Sequence, residues 1–349
     1  MNHIQILKRA FNITKNYRAL WFFGLLLALT TASGSSSSGG GSTSSSTNIN
    51  PNFDWQHPFS NFPQISPEVS SLLVGVAISL GCLLLVLIVV GTFAHYMSET
   101  ALIRMVDEHE TSAQKLTIRQ GFRLGWSRPA WKMFLMDWLV GLSFVFGFLL
   151  LLAVAALPLL VWLTNSTPLH VFGSIISGGL ILLLVLAAIA AGLAATLILI
   201  FAHRACALEN LGVRASIRRG YQIVRSRLKD VILMGVMLFG IGLGWLIVSF
   251  IAILVVILAA ALMAGLPALL VGFIVGLFTS GAAPWIAAGI IGIPIFLAVV
   301  IVSGGLIGGW QQVFTSSAWT LTYREALVLK QVKTNVELPA ADSAPTAND

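Results

Sequence analysis

Charge is what this sequence has least of. Only 9% of its 349 residues are Asp, Glu, Lys or Arg, against 57% hydrophobic residues and a mean hydropathy of +0.91. So few charges cannot cover the surface of a soluble protein of this size, which leaves a bilayer as the solvent for most of the chain. No Asp, Glu, Lys or Arg occurs between Glu68 and Glu99, between Asp137 and Arg204, or between Asp230 and Arg324. Each run has room for a helical crossing of about 20 residues, and the last two have room for a pair. The alternation of polar and apolar residues that a β-barrel needs is also missing.

Cysteine is nearly as scarce. Cys82 and Cys206 lie in different segments without CxxC spacing, so neither a disulfide framework nor a zinc site is expected. Cys82 falls deep in an apolar run, and Cys206 is expected to face the cytoplasm. The sequence also lacks a GxSxG elbow, a P-loop, paired glycosidase-type carboxylates and a metal-ligand cluster. Neither enzymatic activity nor a cofactor is expected.

The charge that is present is strongly ordered. All 20 Lys and Arg fall in residues 1–18, 98–132, 204–230 and 324–333. The stretches 33–68, 164–170 and 265–283 hold none. The bias of basic residues toward the cytoplasmic side makes the first set internal and the second external. Four internal segments alternating with three external ones give six crossings, with both termini cytoplasmic. The fold class expected is therefore all-α: a polytopic helical bundle in the cytoplasmic membrane of a bacterium. Its single domain covers 1–330, with a disordered tail at 331–349. The crossings are expected near 19–32, 69–97, 133–163, 171–203, 231–263 and 286–313.

Three stretches complicate that reading. The region 264–285 is apolar enough for a seventh crossing, but that would put Arg324, Lys330 and Lys333 outside. A re-entrant or surface segment punctuated by Pro267, Gly281 and Pro284 is expected instead. The first crossing has a rival reading as a signal peptide, with ALWFFGLLLAL as its apolar core and TTAS as a cleavage zone. Between the first two crossings, 33–66 begins as a flexible Ser/Gly tract. It continues with Phe53, Trp55, Phe59 and Phe62, which could rest on the outer interface.

The basic segments repeat. TIRQGFRLGWSR at 117–128 aligns with SIRRGYQIVRSR at 216–227, and ILKRAFNITKNY at 6–17 is a weaker copy. Each runs into an apolar stretch, and TFAH at 92–95 matches IFAH at 200–203. The chain reads as three tandem units of basic amphipathic helix, crossing, outer loop and crossing, which favours retention of the first crossing. Two crossings per unit make these parallel repeats, unlike the inverted repeats of many transporters.

On a helix, Val213, Ile217, Tyr221, Val224 and Leu228 form an apolar stripe beside a basic one containing Arg214, Arg218, Arg225 and Lys229. A helix so divided lies in the inner interface, its cations at anionic headgroups. Arg119, Arg123, Arg219 and Arg227 join these four as expected contacts for anionic membrane lipid or a membrane-protein partner. The plainer reading is that such segments only set topology. Nucleic acid is not expected, since base-reading and stacking elements are missing.

Asp137 is the acidic residue of an otherwise apolar crossing, which makes it a candidate intramembrane polar site. Its place near a helix N-terminus also gives it a purely structural reading, and the aligned position in the third unit is Val236. His95 and His203 sit at equivalent inner ends of two crossings. With no carboxylate pair adjacent in sequence they read as interfacial histidines, not as ligands or catalysts. Trp162, Trp245, Trp285, Trp310 and Trp319 read as interfacial anchors. The glycines of GIGLG and GGLIGG supply small faces for close helix packing.

The repeated (S/T)IR(R/Q)G(F/Y) element, LWFFGLL after the first basic helix, and TSSAWTLTYREAL at 315–327 resemble a broad group of bacterial six-span proteins. That group includes the membrane domain associated with glycerophosphodiester phosphodiesterases. The resemblance covers most of the chain apart from the Ser/Gly tract and tail. It implies an integral membrane module, and it carries over neither catalytic residues nor the phosphodiesterase activity. The function expected is a lipid-interacting scaffold or accessory subunit. A permease component for a small or hydrophobic solute, centred on Asp137, is the alternative.

Overall fold

The computed structural model describes residues 2–35, 67–112, 114–158, 167–279 and 281–337. Among them the chain forms helices and no strand, and the long apolar runs stay helical even across Pro267 and Pro294. The helices are α1 (His3–Asn16), α2 (Ala19–Ser35), α3 (Pro67–Ser112), α4 (Ile118–Gly125), α5 (Arg128–Ala156), α6 (Thr167–Glu209), α7 (Val213–Ser226), α8 (Leu228–Gly276) and α9 (Ala283–Glu337).

Five of these are long and apolar enough to cross a membrane: α3, α5, α6, α8 and α9. The apolar part of α2, Ala19–Thr31, is shorter. In the most apolar windows of the five, at most 6% of residues are buried by the protein. Side chains this greasy and this uncovered need lipid around them, so the chain is a helical membrane protein.

Packing concentrates at the other ends of the helices. The main core joins Ile6, Leu20, Phe23, Leu102, Phe201, Val313 and Tyr323, drawn from α1, α2, α3, α6 and α9. The basic segments converge here. The Tyr17 hydroxyl donates to the Leu116 carbonyl (2.9 Å), Lys115 Nζ donates to the Asn16 carbonyl (3.2 Å), and Lys132 Nζ donates to the Leu211 carbonyl (3.3 Å). An ion pair of 2.8 Å between Arg324 and Asp107 ties α9 to α3.

α3, α6 and α9 run as unbroken helices from the apolar zone into this compact end. The first charge beyond each apolar run therefore marks a change of surroundings and not the end of a helix. α1, α4 and α7 precede α2, α5 and α8 after short corners. At the end of α4, Ser127 Oγ donates to the Leu124 carbonyl (2.8 Å), and at the end of α7, Ser226 Oγ does the same to Ile223 (3.0 Å).

The structure departs from expectation at 264–285. α8 continues unbroken to Gly276, with Pro267 inside it. Its 49 residues make a rod of about 73 Å, so 264–276 is the far end of that rod and not a separate re-entrant piece. Pro267 has no N–H to donate to the Met263 carbonyl, a loss that a membrane helix tolerates beside a close neighbour, and α9 packs alongside, bringing Ala288 to Gly272 and Ala268 to Gly292. The turn to α9 uses Gly281 at φ +91°, a conformation that favours glycine. α2 reaches Ser35 and α9 reaches Glu337, so 33–35 and 331–337 are helical where loop and tail were expected. The rest of the Ser/Gly tract, its aromatic residues, the tail beyond 337 and Trp162 lie outside the described residues.

Candidate functional site: a buried charge cluster and the basic surface around it

Asp137 is not isolated. Glu99 on α3, Asp137 on α5 and His203 on α6 meet where the apolar helices enter the compact end. His203 Nε2 lies 2.8 Å from Asp137 Oδ1, and its Nδ1 lies 3.0 Å from Glu99 Oε1. The Tyr96 hydroxyl donates to the other Asp137 oxygen at 2.9 Å. His203 is 8% exposed.

Bonding both ring nitrogens at once takes two protons. Either an imidazolium lies between two carboxylates, or a neutral ring lies between one carboxylate and one carboxylic acid. The three groups carry a net charge of −1 in both cases. Buried Arg204, next in the chain and in electrostatic reach of Glu99, restores neutrality. The imidazole stands between the carboxylates, so the three do not converge on one point, and no metal-binding group occurs among the described residues.

This corrects the reading of His203 as an interfacial histidine: its carboxylate pair comes from two other helices. Sequence reasoning missed Glu99 altogether, although its place one helical turn after His95 was a signal. His95 makes a different contact, its Nδ1 3.2 Å from Thr30 Oγ1 on α2.

Two other expectations change. Cys206 is fully buried beneath α5 and does not face the cytoplasm, whereas Cys82 is exposed on the apolar surface. Trp319 is a core residue against Phe201, and Trp245 stacks on Trp310 between α8 and α9 at 4.8 Å, so these three are packing elements. Trp285, 77% exposed, keeps its reading as a surface residue.

The eight expected contact cations separate into two sets. Arg219 pairs with Glu209 (3.4 Å) and Arg227 with Asp230 (3.6 Å), so both are engaged within the protein. Arg119, Arg123, Arg214, Arg218, Arg225 and Lys229 are exposed and make no ion pair among the described residues.

Burial along α1, α4 and α7 follows one pattern. Ala10, Gly121 and Gly220 are buried at aligned positions, and the aromatic residues that follow, Phe11, Phe122 and Tyr221, are 46%, 40% and 48% exposed. The glycines are contact points. A Cβ on Gly220 would sit 2.7 Å from the Ile198 carbonyl oxygen, and one on Gly121 would sit 2.5 Å from Met105 Sδ. α7 therefore rests on α6 through Ser216, Gly220, Ile223 and Val224. Of the expected apolar stripe, Tyr221 and Leu228 are exposed, Val213 and Ile217 are half-buried, and Val224 is buried.

Tyr17 anchors the corner between α1 and α2. Burial pushes its hydroxyl above the ordinary value of 10.0, partly offset by its bond to Leu116.

A helical membrane protein with one compact, charge-laced end and long lipid-facing helices is the class these features define. Within it, the chain belongs to the DUF7544 family, a family of unknown function, which matches residues 1–337. Neither a curated protein nor a solved structure matches the chain, and nothing in these comparisons links it to the phosphodiesterase-associated membrane domain.

Proposed function

We propose that this protein is a non-enzymatic, lipid-interacting scaffold or accessory subunit of a bacterial cytoplasmic membrane. It would make six crossings in three tandem units, with both termini and the compact end in the cytoplasm. One observation carries the reading. Exposed cations that make no ion pair among the described residues lie beside exposed aromatics, on helices next to the point where apolar rods leave the packed core. Such a surface suits the headgroup layer of an anionic leaflet, where each basic residue contributes about 1 kcal/mol.

The test is lipid enrichment. The full chain, in bilayers of phosphatidylcholine with a minority of phosphatidylglycerol, is extracted into polymer-bounded discs and its lipids are quantified. Phosphatidylglycerol should be enriched over the starting bilayer. Changing Arg119, Arg123, Arg214, Arg218, Arg225 and Lys229 to Gln should abolish that enrichment. A wild-type protein with no enrichment overturns the proposal.

The permease reading has one specific observation in its favour. Near the Asp137 cluster, Arg204 Nε and the hydroxyls of Ser98, Ser316 and Ser317 are buried without a partner among the described residues. A polar centre of that kind could take up water or protons. Proton uptake into dye-loaded proteoliposomes tests it: equal rates for wild type and Asp137→Asn would remove its support.

A further inference from the structure

The basic surface is not uniform, and one part of it is shaped. Two grooves meet at α4. One, of about 690 Å³, is lined by Phe22, Ile118, Phe122 and Trp126 together with Arg119 and Arg123. The other, of about 680 Å³, continues past Arg119 to Arg18 and Lys115. Neither has an acidic residue in its lining. Elsewhere acidic residues stand among the cations, although Arg214, Arg218, Arg225 and Lys229 make no ion pair among the described residues. The groove between α1 and α9 sets Arg9 and Arg324 against Glu110 and Glu325, and α7 commits Arg219 and Arg227 to carboxylates.

The grooves at α4 are also held in shape. Tyr17 and Lys115 fasten the α1–α2 corner to the segment before α4, and Gln120 Oε1 accepts the Thr117 N–H at 2.9 Å to cap that helix. One side of the joined groove is aromatic, with Trp126 65% exposed, and the other side is cationic.

We infer that the joined groove at α2 and α4 is a discrete binding site for one anionic glycerophospholipid. Arg18, Lys115, Arg119 and Arg123 surround the headgroup phosphate, and an acyl chain lies along Phe122 and Trp126. Charge complementarity selects the anion, since four cations without an acid cannot discharge one another. The apolar half selects a lipid over a free anion, since a dissolved phosphate gains nothing from exposed aromatic rings. The inference rests on the proposed lipid-interacting role and sharpens it from a diffuse attraction to a site.

The experiment is native mass spectrometry of the full chain released from phosphatidylcholine nanodiscs containing a minority of phosphatidylglycerol. Wild type should keep one phosphatidylglycerol under activation that strips phosphatidylcholine. R119Q/R123Q should lower its occupancy about 10-fold or more. R214Q/R218Q, which removes as much charge from α7, should stay within about 2-fold of wild type. F122A/W126A leaves every charge in place and should also lose the lipid. That variant keeps the test open should the charge variant fail to fold. Equal losses in R119Q/R123Q and R214Q/R218Q overturn the site while leaving a diffuse lipid-interacting role intact. No preference for phosphatidylglycerol in wild type overturns both. Thermal stabilisation by inorganic phosphate equal to that by phosphatidylglycerol would assign the groove to a free anion and also overturn it.

Discussion

The two ends of α3 live under different rules. From Ala101 to Val106 almost every side chain is shut inside protein, with Leu102, Ile103, Met105 and Val106 at 0% exposure. Five turns earlier, Leu83 to Val90 are all more than half exposed, and equally apolar. The same contrast runs through α6 and α9. Hydrophobicity therefore does two jobs in one helix: it builds a jigsaw core at one end and provides solubility in lipid at the other. At the packed end volume, glycine contact and charge partners matter. Along the lipid-facing length, apolar character is enough.

The largest break in that comparison is expected at His203. His203→Leu leaves Glu99 and Asp137 facing each other without their shared proton carrier, the kind of uncompensated buried charge that costs about 3–5 kcal/mol. Thermal unfolding of the full chain in detergent should show the loss. The triple variant E99Q/D137N/H203L removes the charges together and should recover most of it. A triple variant no more stable than the single one would mean that shape, not charge, makes the cluster necessary.

Next in size is a matched pair of truncations. Leu102→Ala opens a cavity in the core and should cost about 2–5 kcal/mol. Leu258→Ala, at a position 66% exposed on α8, exchanges protein-free surface that lipid refills, and should cost less than about 1 kcal/mol. Similar melting shifts would mean that α8 is covered by another protein surface in the membrane.

Much of this division could be read before the structure. Positions of Lys and Arg separated the two ends, and the basic stretch SIRRGYQIVRSR fell on α7 at the compact end. The apolar runs placed the first residues of the five long helices to within about five positions, while the far ends of α5 and α8 fall at Ala156 and Gly276 against expected ends at 163 and 263. The ends of α3 and α6 were misjudged because Glu99, Arg104 and Arg204 look like the water side, whereas in three dimensions they meet partners or carbonyls inside a core. The charge cluster was half visible: Asp137 stood out as an anion in an apolar run, but its link to His203 spans 66 positions and its link through His203 to Glu99 spans 104 more. No spacing rule reaches that far.

A glycine pair tests the same contrast at smaller scale. A Cβ added at Gly220 meets the Ile198 carbonyl and the Ala202 nitrogen, both backbone, so Gly220→Ala should cost about 1–3 kcal/mol and loosen α7 from α6. Gly244, in α8, has nothing within 4 Å of the same added atom. Gly244→Ala should be neutral or stabilising by up to about 1 kcal/mol through helix propensity. Opposite signs from one chemical change, measured by urea or thermal unfolding, are the expected outcome.

The smallest effect concerns Tyr17 and depends on pH. The buried hydroxyl donates to Leu116, and Tyr17→Phe should cost about 0.5–1.5 kcal/mol at neutral pH. Because burial raises the folded-state pKa above 10.0, the unfolded chain releases its proton first. The stabilisation is therefore complete below about pH 10 and is lost as pH rises through the folded-state value. Wild type should lose stability more steeply than Tyr17→Phe above that point, and the two should converge at the alkaline end. Parallel pH profiles would mean that Tyr17 ionises as freely in the folded protein as in the unfolded chain. The corner between α1 and α2, one wall of the lipid groove, would then be open to water rather than sealed by the packed end.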